Sequence, residues 1–138
     1  MLLRSLLLSI ALILPMLALA NAPAEGEGEA SSRTFQYLPI VPPFIVNIGE
    51  TGRVGFLKVE ISLRVEAAAV AAVEHHMPAL RHELVLLLGR QSQEKLEAAE
   101  PREAIRLEAL EAVRKFIKEA DGVEGVTDLL FTSFLLQR

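Results

Sequence analysis

The sequence predicts an α+β domain, a small antiparallel or mixed sheet with helices on one face in the order β-β-α-α-β. Three observations predict it. Residues 53–66 alternate apolar and polar side chains with period two. Residues 67–120 carry apolar side chains at helical spacings of three and four. The closing stretch from Leu129 to Gln137 is uncharged, rich in Phe and Leu, and preceded by Gly122 and Gly125.

The first strand is expected over residues 34–48. Phe35, Tyr37, Pro39, Pro42 and Pro43 make a stiff, extended entry, because each proline fixes φ and removes an N–H donor. Prolines this dense belong at a sheet edge or before the paired part of a strand. Phe44, Val46 and Ile48 then alternate with Ile45 and Asn47. Gly49-Glu50-Thr51-Gly52 reads as a turn, so the first two strands form a hairpin. The second strand, Arg53 to Glu66, turns Leu57, Val59, Ile61, Leu63 and Val65 to one face. Lys58, Glu60, Ser62, Arg64 and Glu66 fall on the other, a face of mixed sign that reads as solvated.

Helical spacing begins at Ala67. Val70, Val73, Met77, Leu80, Leu84 and Leu87 lie on one stripe, and Pro78 interrupts it. A proline in a helix interior loses a hydrogen bond and clashes with the preceding turn. The spacing therefore predicts a kink, or two helices with Pro78 at the first position of the second. A weak break at Gly89 to Ser92 and a short link over residues 94–100 precede Pro101, the expected first residue of a helix to about Ala120. Its stripe is Ile105, Ala109, Leu110, Val113, Phe116 and Ile117, and Gly122 is its stop. In the last strand, strict alternation puts Leu129, Phe131, Ser133 and Leu135 on one face and Leu130, Thr132, Phe134 and Leu136 on the other. A strand apolar on both faces reads as central and covered on both sides, with Phe131 and Phe134 buried on opposite faces.

The 138 residues suffice for one domain, residues 34–138. Residues 1–20 carry Arg4, an uncharged apolar run and Ala18-Leu19-Ala20, the pattern of a secretory signal cleaved after Ala20. The competing reading is a short, uncleaved membrane anchor, though Pro15 interrupts the run and a span needs roughly 20 apolar residues. On either reading the remainder is exported. Residues 21–33, acidic and without large apolar side chains, read as a flexible linker. The formal charge is −4, and removal of Arg4 with residues 1–20 would leave −4 − 1 = −5. That balance opposes nucleic acid as a partner and offers no polybasic patch for anionic lipid. With no cysteine, thiol chemistry and cysteine-based metal sites are excluded.

No residue set carries a recognisable reaction. His75, His76 and His82 lack the i, i+4 spacing that suits zinc on a helix, and Leu86 holds the last place of a would-be H-E-x-x-H beginning at His82. Thr132 and Ser133 have no neighbouring base and read as packed hydroxyls bonded to backbone. Glu97, Glu100, Glu103, Glu108 and Glu111 lie among Arg102, Arg106 and Arg114 at spacings that make a solvated, ion-paired helix face. The residues alone thus describe an exported binding or scaffold module, with no catalytic residue, cofactor, metal or small-molecule substrate assigned. Its function then lies in surfaces. The candidates are Lys58, Glu60 and Arg64 on the second strand, and His75, His76 and Arg81 around Pro78.

The ordered segments also resemble a known family. They are Tyr37-Leu38-Pro39, Phe44-Ile45-Val46-Asn47, Phe56-Leu57-Lys58-Val59-Glu60-Ile61-Ser62-Leu63, His76-Met77-Pro78-Ala79-Leu80-Arg81, Leu86-Leu87-Leu88 and Leu107-Glu108-Ala109-Leu110. Phe131-Thr132-Ser133-Phe134-Leu135-Leu136-Gln137 is the most specific piece. In order and spacing they resemble the flagellar basal body-associated FliL family from about Phe35 to Gln137. The resemblance implies a stomatin-like, non-enzymatic periplasmic domain at the inner membrane, forming a homo-oligomeric ring around flagellar stator units and supporting swimming, swarming and chemotaxis. Two departures stand out. The apolar start resembles a signal peptide rather than the family's full transmembrane helix. Pro101-Arg102 and Glu111 stand where the family often has Gly-Lys and Asn. They make a divergent, FliL-like paralogue, or a soluble periplasmic adaptor of another envelope complex, the alternative reading.

Overall fold

The structure, a computed structural model, describes residues 33–49 and 55–137. The expected signal or anchor, all of the linker but Arg33, and the hairpin turn beyond Gly49 lie outside the described residues. Strand β1 (Phe35–Ile48) and strand β2 (Gly55–Glu66) pair antiparallel, as a hairpin requires. A 3-10 turn at Ala67–Ala69 leads into α1 (Val70–His75) and α2 (Met77–Gly89). A short α3 (Gln93–Glu97) precedes the long α4 (Ala99–Asp121), and β3 (Val126–Gln137) follows. The sheet order is β1-β2-β3 and every pairing is antiparallel. This is the expected α+β arrangement.

The helix boundaries follow from local chemistry. The first helix ends at His75 and the next begins at Met77, so Pro78 sits in a first turn where no N–H is needed. The break is continuous in hydrogen bonding, with Ala72 O accepting from His76 N at 3.1 Å and His76 O from Leu80 N at 2.9 Å. Helix α4 starts two residues before the expected Pro101, which still falls in the donor-free first turn. It stops where Gly122 turns left-handed, φ 65°, and donates its N–H to Lys118 O at 2.9 Å. The inner face of β2 is buried throughout (Leu57, Val59, Ile61, Leu63 and Val65). It packs under Leu80, Leu84, Leu87 and Leu88 of α2 and under Ile105, Ala109, Leu110, Val113 and Ile117 of α4.

The last strand departs from the sequence reading in two linked ways. It is an edge strand, and the central position belongs to β2. Its apparent two-faced hydrophobicity is an effect of register. Val65 pairs with Val126 while Arg64 pairs with Asp128, so Thr127 is an extra residue. Glu60 pairs with Ser133 while Ile61 pairs with Phe131, so Thr132 is a second. Each bulge shifts the alternation by one. Val126, Leu129, Phe131, Phe134 and Leu136 therefore all oppose inward residues of β2 and share one face. Phe131 and Phe134 lie together, ring centroids 5.6 Å apart, not on opposite faces. Both are half-buried against the core rather than enclosed by it, because no strand among the described residues flanks β3 on its far side. Thr132, expected inside, is exposed at its bulge.

Candidate interaction surfaces

Helices cover one face of the sheet. The other presents the cross-strand rows Ile45–Lys58–Leu135 and Asn47–Phe56–Gln137, and further along Tyr37–Arg64–Asp128. Ile45 is 67%, Leu135 50% and Phe56 38% exposed, so Lys58 stands amid an apolar patch. Sequence reading named the charges of this face and missed the apolar residues around them. The signal was there in Ile45, an outward apolar residue in an alternating strand. Lys58, Glu60 and Arg64 are half-buried rather than freely solvated. The Arg64 guanidinium lies 3.9 Å from the centre of the Phe35 ring, and its Nε is buried without a partner among the described residues.

The second candidate region sits on the helix side of the sheet. His76, at the break between α1 and α2, reaches Asp121 at the end of α4, Nε2 to Oδ2 2.9 Å. Its ring also meets His75 and Phe116 edge-on at 4.8 and 5.7 Å. The contact ties the break to the C-terminal turn of α4, where a helix favours positive charge. His82 is exposed on α2, apart from this cluster. Among the described residues, no three His, Cys, Asp or Glu side chains are placed to hold a metal.

Arg81 has a structural role that its sequence context hides. It donates to the carbonyl oxygens of Pro42 and Pro43 and lies 4.4 Å over the Phe44 ring. Between Ile40 and Phe44 three residues of β1 oppose Glu60 alone, and α2 pins that bulge through Arg81. Arg81→Glu should therefore lower stability by about 2–3 kcal/mol, the size of charge-assisted hydrogen bonds with a cation–π contact. Arg81→Lys, which keeps the charge without the planar fork, should recover only part of it. Thermal melts of the two variants against the parent check this.

The glutamates and arginines of α4 are not simply a solvated face. The expected i, i+3 pairs form, Glu103–Arg106 at 2.6 Å and Glu111–Arg114 at 2.8 Å. Both arginines also reach the sheet. Arg106 donates to Asp128 Oδ1 at 2.6 Å and to Leu129 O at 2.9 Å. Arg114 donates to Val126 O at 2.8 Å and Thr127 O at 2.9 Å. They clamp α4 to the bulged start of β3. The hydrogen bond from Arg106 holds the Glu103 carboxyl below its ordinary range, and Lys118 does the same for Glu124. A carboxylate so lowered adds stability above its ordinary pKa and loses it as pH falls. Both are exposed, so the effect is small.

A family model described as "Flagellar basal body-associated protein FliL" matches residues 37–137, which spans β1 to β3 and most of the chain. The chain belongs to the FliL family. Among curated FliL proteins, the flagellar protein FliL of Aquifex aeolicus is 27% identical over 97 residues, 70% of this chain and 58% of that protein. Those of Escherichia coli K12 and Shigella flexneri are each 28% identical over 94 residues, 68% of this chain and 60% of theirs. The match thus spans under two thirds of the length of these FliL relatives. The FliL-matching region contains every candidate residue named above. No helix among the described residues is long and apolar enough to cross a membrane.

Proposed function

We propose that the domain is a non-enzymatic accessory of the flagellar basal body, held in the periplasm at the inner membrane. Copies form a ring around the ion-driven stator and support swimming, swarming and chemotaxis. The supporting observation beyond family membership is the sheet face that no helix among the described residues covers, with Ile45, Phe56 and Leu135 exposed around Lys58. A ring needs two different patches on each subunit, joined head to tail. The face bearing Lys58, Glu60 and Arg64 and the helix-side region of His75, His76 and Arg81 lie on different sides of the sheet and so are two distinct patches. Tethering at a membrane raises the effective concentration, so assembly is expected on membranes and monomers in dilute solution.

Charge changes that spare the fold test the contact. Lys58→Glu and His75→Glu avoid Arg81, which holds β1. In membrane-tethered chains each should weaken the cross-linked ladder with little change in melting temperature. Ladders equal to the parent's would remove these residues from the contact, and a parent without a ladder would remove the ring. Recovery of stator proteins with the tethered chain tests the partner.

One observation favours a second reading, a soluble periplasmic adaptor of another envelope complex. Ala18-Leu19-Ala20 has the form of a cleavage site, and cleavage there would remove the apolar run. An intact mass beginning at Asn21 supports it, whereas a full-length mass in the membrane fraction supports the anchor.

A further inference from the structure

The two edges of the sheet are chemically different. On β1, Pro39, Pro42 and Pro43 supply no N–H, and the bulge before Phe44 interrupts the pairing line. On β3, the carbonyls of Val126, Thr127 and Leu129 accept hydrogen bonds from Arg114 and Arg106. Those clamps end at Leu129. From there to Gln137 the strand carries no charge and no proline. Phe131, Phe134 and Leu136 are half-buried, and Leu135 is 50% exposed. Soluble proteins blunt an open edge with lysine, proline or a covering element, because its free N–H and C=O groups are a template for another strand. The second half of β3 bears neither lysine nor proline.

We propose that this half of β3 pairs antiparallel with the same segment of a second copy, joining two three-stranded sheets into one. Self-pairing sets an uncharged segment against an uncharged segment, with no like charges opposed. The other edge of a second copy is the poorer partner, since its prolines lack donors. A two-fold axis normal to the sheet keeps the helices of both copies on the same face. It also brings together, from each copy, a hollow of about 370 Å³ lined by Leu96, Glu97, Arg102, Phe134 and Leu136, where the Arg102 guanidinium lies 5.2 Å from the centre of the Phe134 ring and apolar side chains of the opposite strand can pack beside it. Ser133, midway between Leu130 and Leu136, lies nearest the axis. The contact is isologous and cannot by itself close a ring, so it does not rest on the ring reading. Lys58→Glu and His75→Glu, which test the ring, leave it in place.

The chain has no cysteine, so one introduced thiol reports the contact cleanly. Residues opposite each other in an antiparallel pair have Cα atoms about 4.5–5.5 Å apart, within disulfide reach. Ser133→Cys in the full chain should form a disulfide-linked dimer on mild oxidation, and Asn47→Cys on the exposed β1 edge should not. Sedimentation should show a concentration-dependent dimer of the parent. Thr132→Glu and Thr132→Lys, at an exposed bulge, should each be monomeric and should restore dimer when mixed. Folded Ser133→Cys protein that stays monomeric on oxidation overturns the proposal. So does equal cross-linking at Asn47→Cys, or dimerisation of either charged variant alone to the parent's extent.

Discussion

Phe44→Ala should lower the unfolding free energy by about 3–5 kcal/mol, the range for emptying a fully enclosed aromatic site. Phe44 is 0% exposed, sits opposite Val59 and carries the Arg81 guanidinium over its ring. The hollow left behind would be lined by rigid β2 and α2 side chains and could not collapse, and Arg81 would lose its stacking surface. Phe134→Ala offers the contrast. That ring is half-buried at the edge of the sheet, so its loss should cost about 1–2 kcal/mol, in proportion to the area it removes from water. Urea midpoints at unchanged slope measure both. Equal losses would return β3 to the centre of the core, against the strand order observed.

Gly125→Ala should cost about 2–4 kcal/mol, since it combines backbone strain with overpacking. Gly125 has φ 149°, outside the range of ordinary L residues, and a Cβ there would lie 2.6 Å from the Cβ of Ala69. Its carbonyl also accepts from Glu66 N at 2.8 Å, joining the loop before β3 to the end of β2. The substituted chain must move that loop or the 3-10 turn, and either disturbs the entry of β3 into the sheet. Gly122→Ala isolates the backbone part. Gly122 is left-handed with nothing within 4 Å of a built Cβ, so its change should cost only about 1–2 kcal/mol. A Gly125→Ala variant as stable as the parent would show that the close approach to Ala69 is relieved without strain.

The contrast between these glycines shows what sequence could and could not reach. Gly122 was legible as a helix stop because α4 announces its own end through a local rule. The need for glycine at position 125 was not, because Ala69 comes from 56 positions earlier in the chain. Arg81 is similar. Its side chain read as surface because the carbonyls it meets belong to β1, brought close only by folding. The candidate surfaces were half legible. Their charges could be read from alternation, but the apolar patch around Lys58 exists only when Ile45 and Leu135 are set beside it by two strand registers.

The sequence by itself determined the α+β class, the order of elements, the helix break at Pro78, the stop at Gly122 and the inner face of β2. Each follows from periodicity or backbone chemistry over a few neighbouring residues. Tertiary structure alone decided that β2 is central, that Thr127 and Thr132 bulge, and that Phe131 and Phe134 share a face. A one-residue bulge leaves the composition of a strand unchanged while reversing every side chain beyond it. Only pairing with β2, whose own alternation is unbroken on its inner face, fixes which residues of β3 turn to the core.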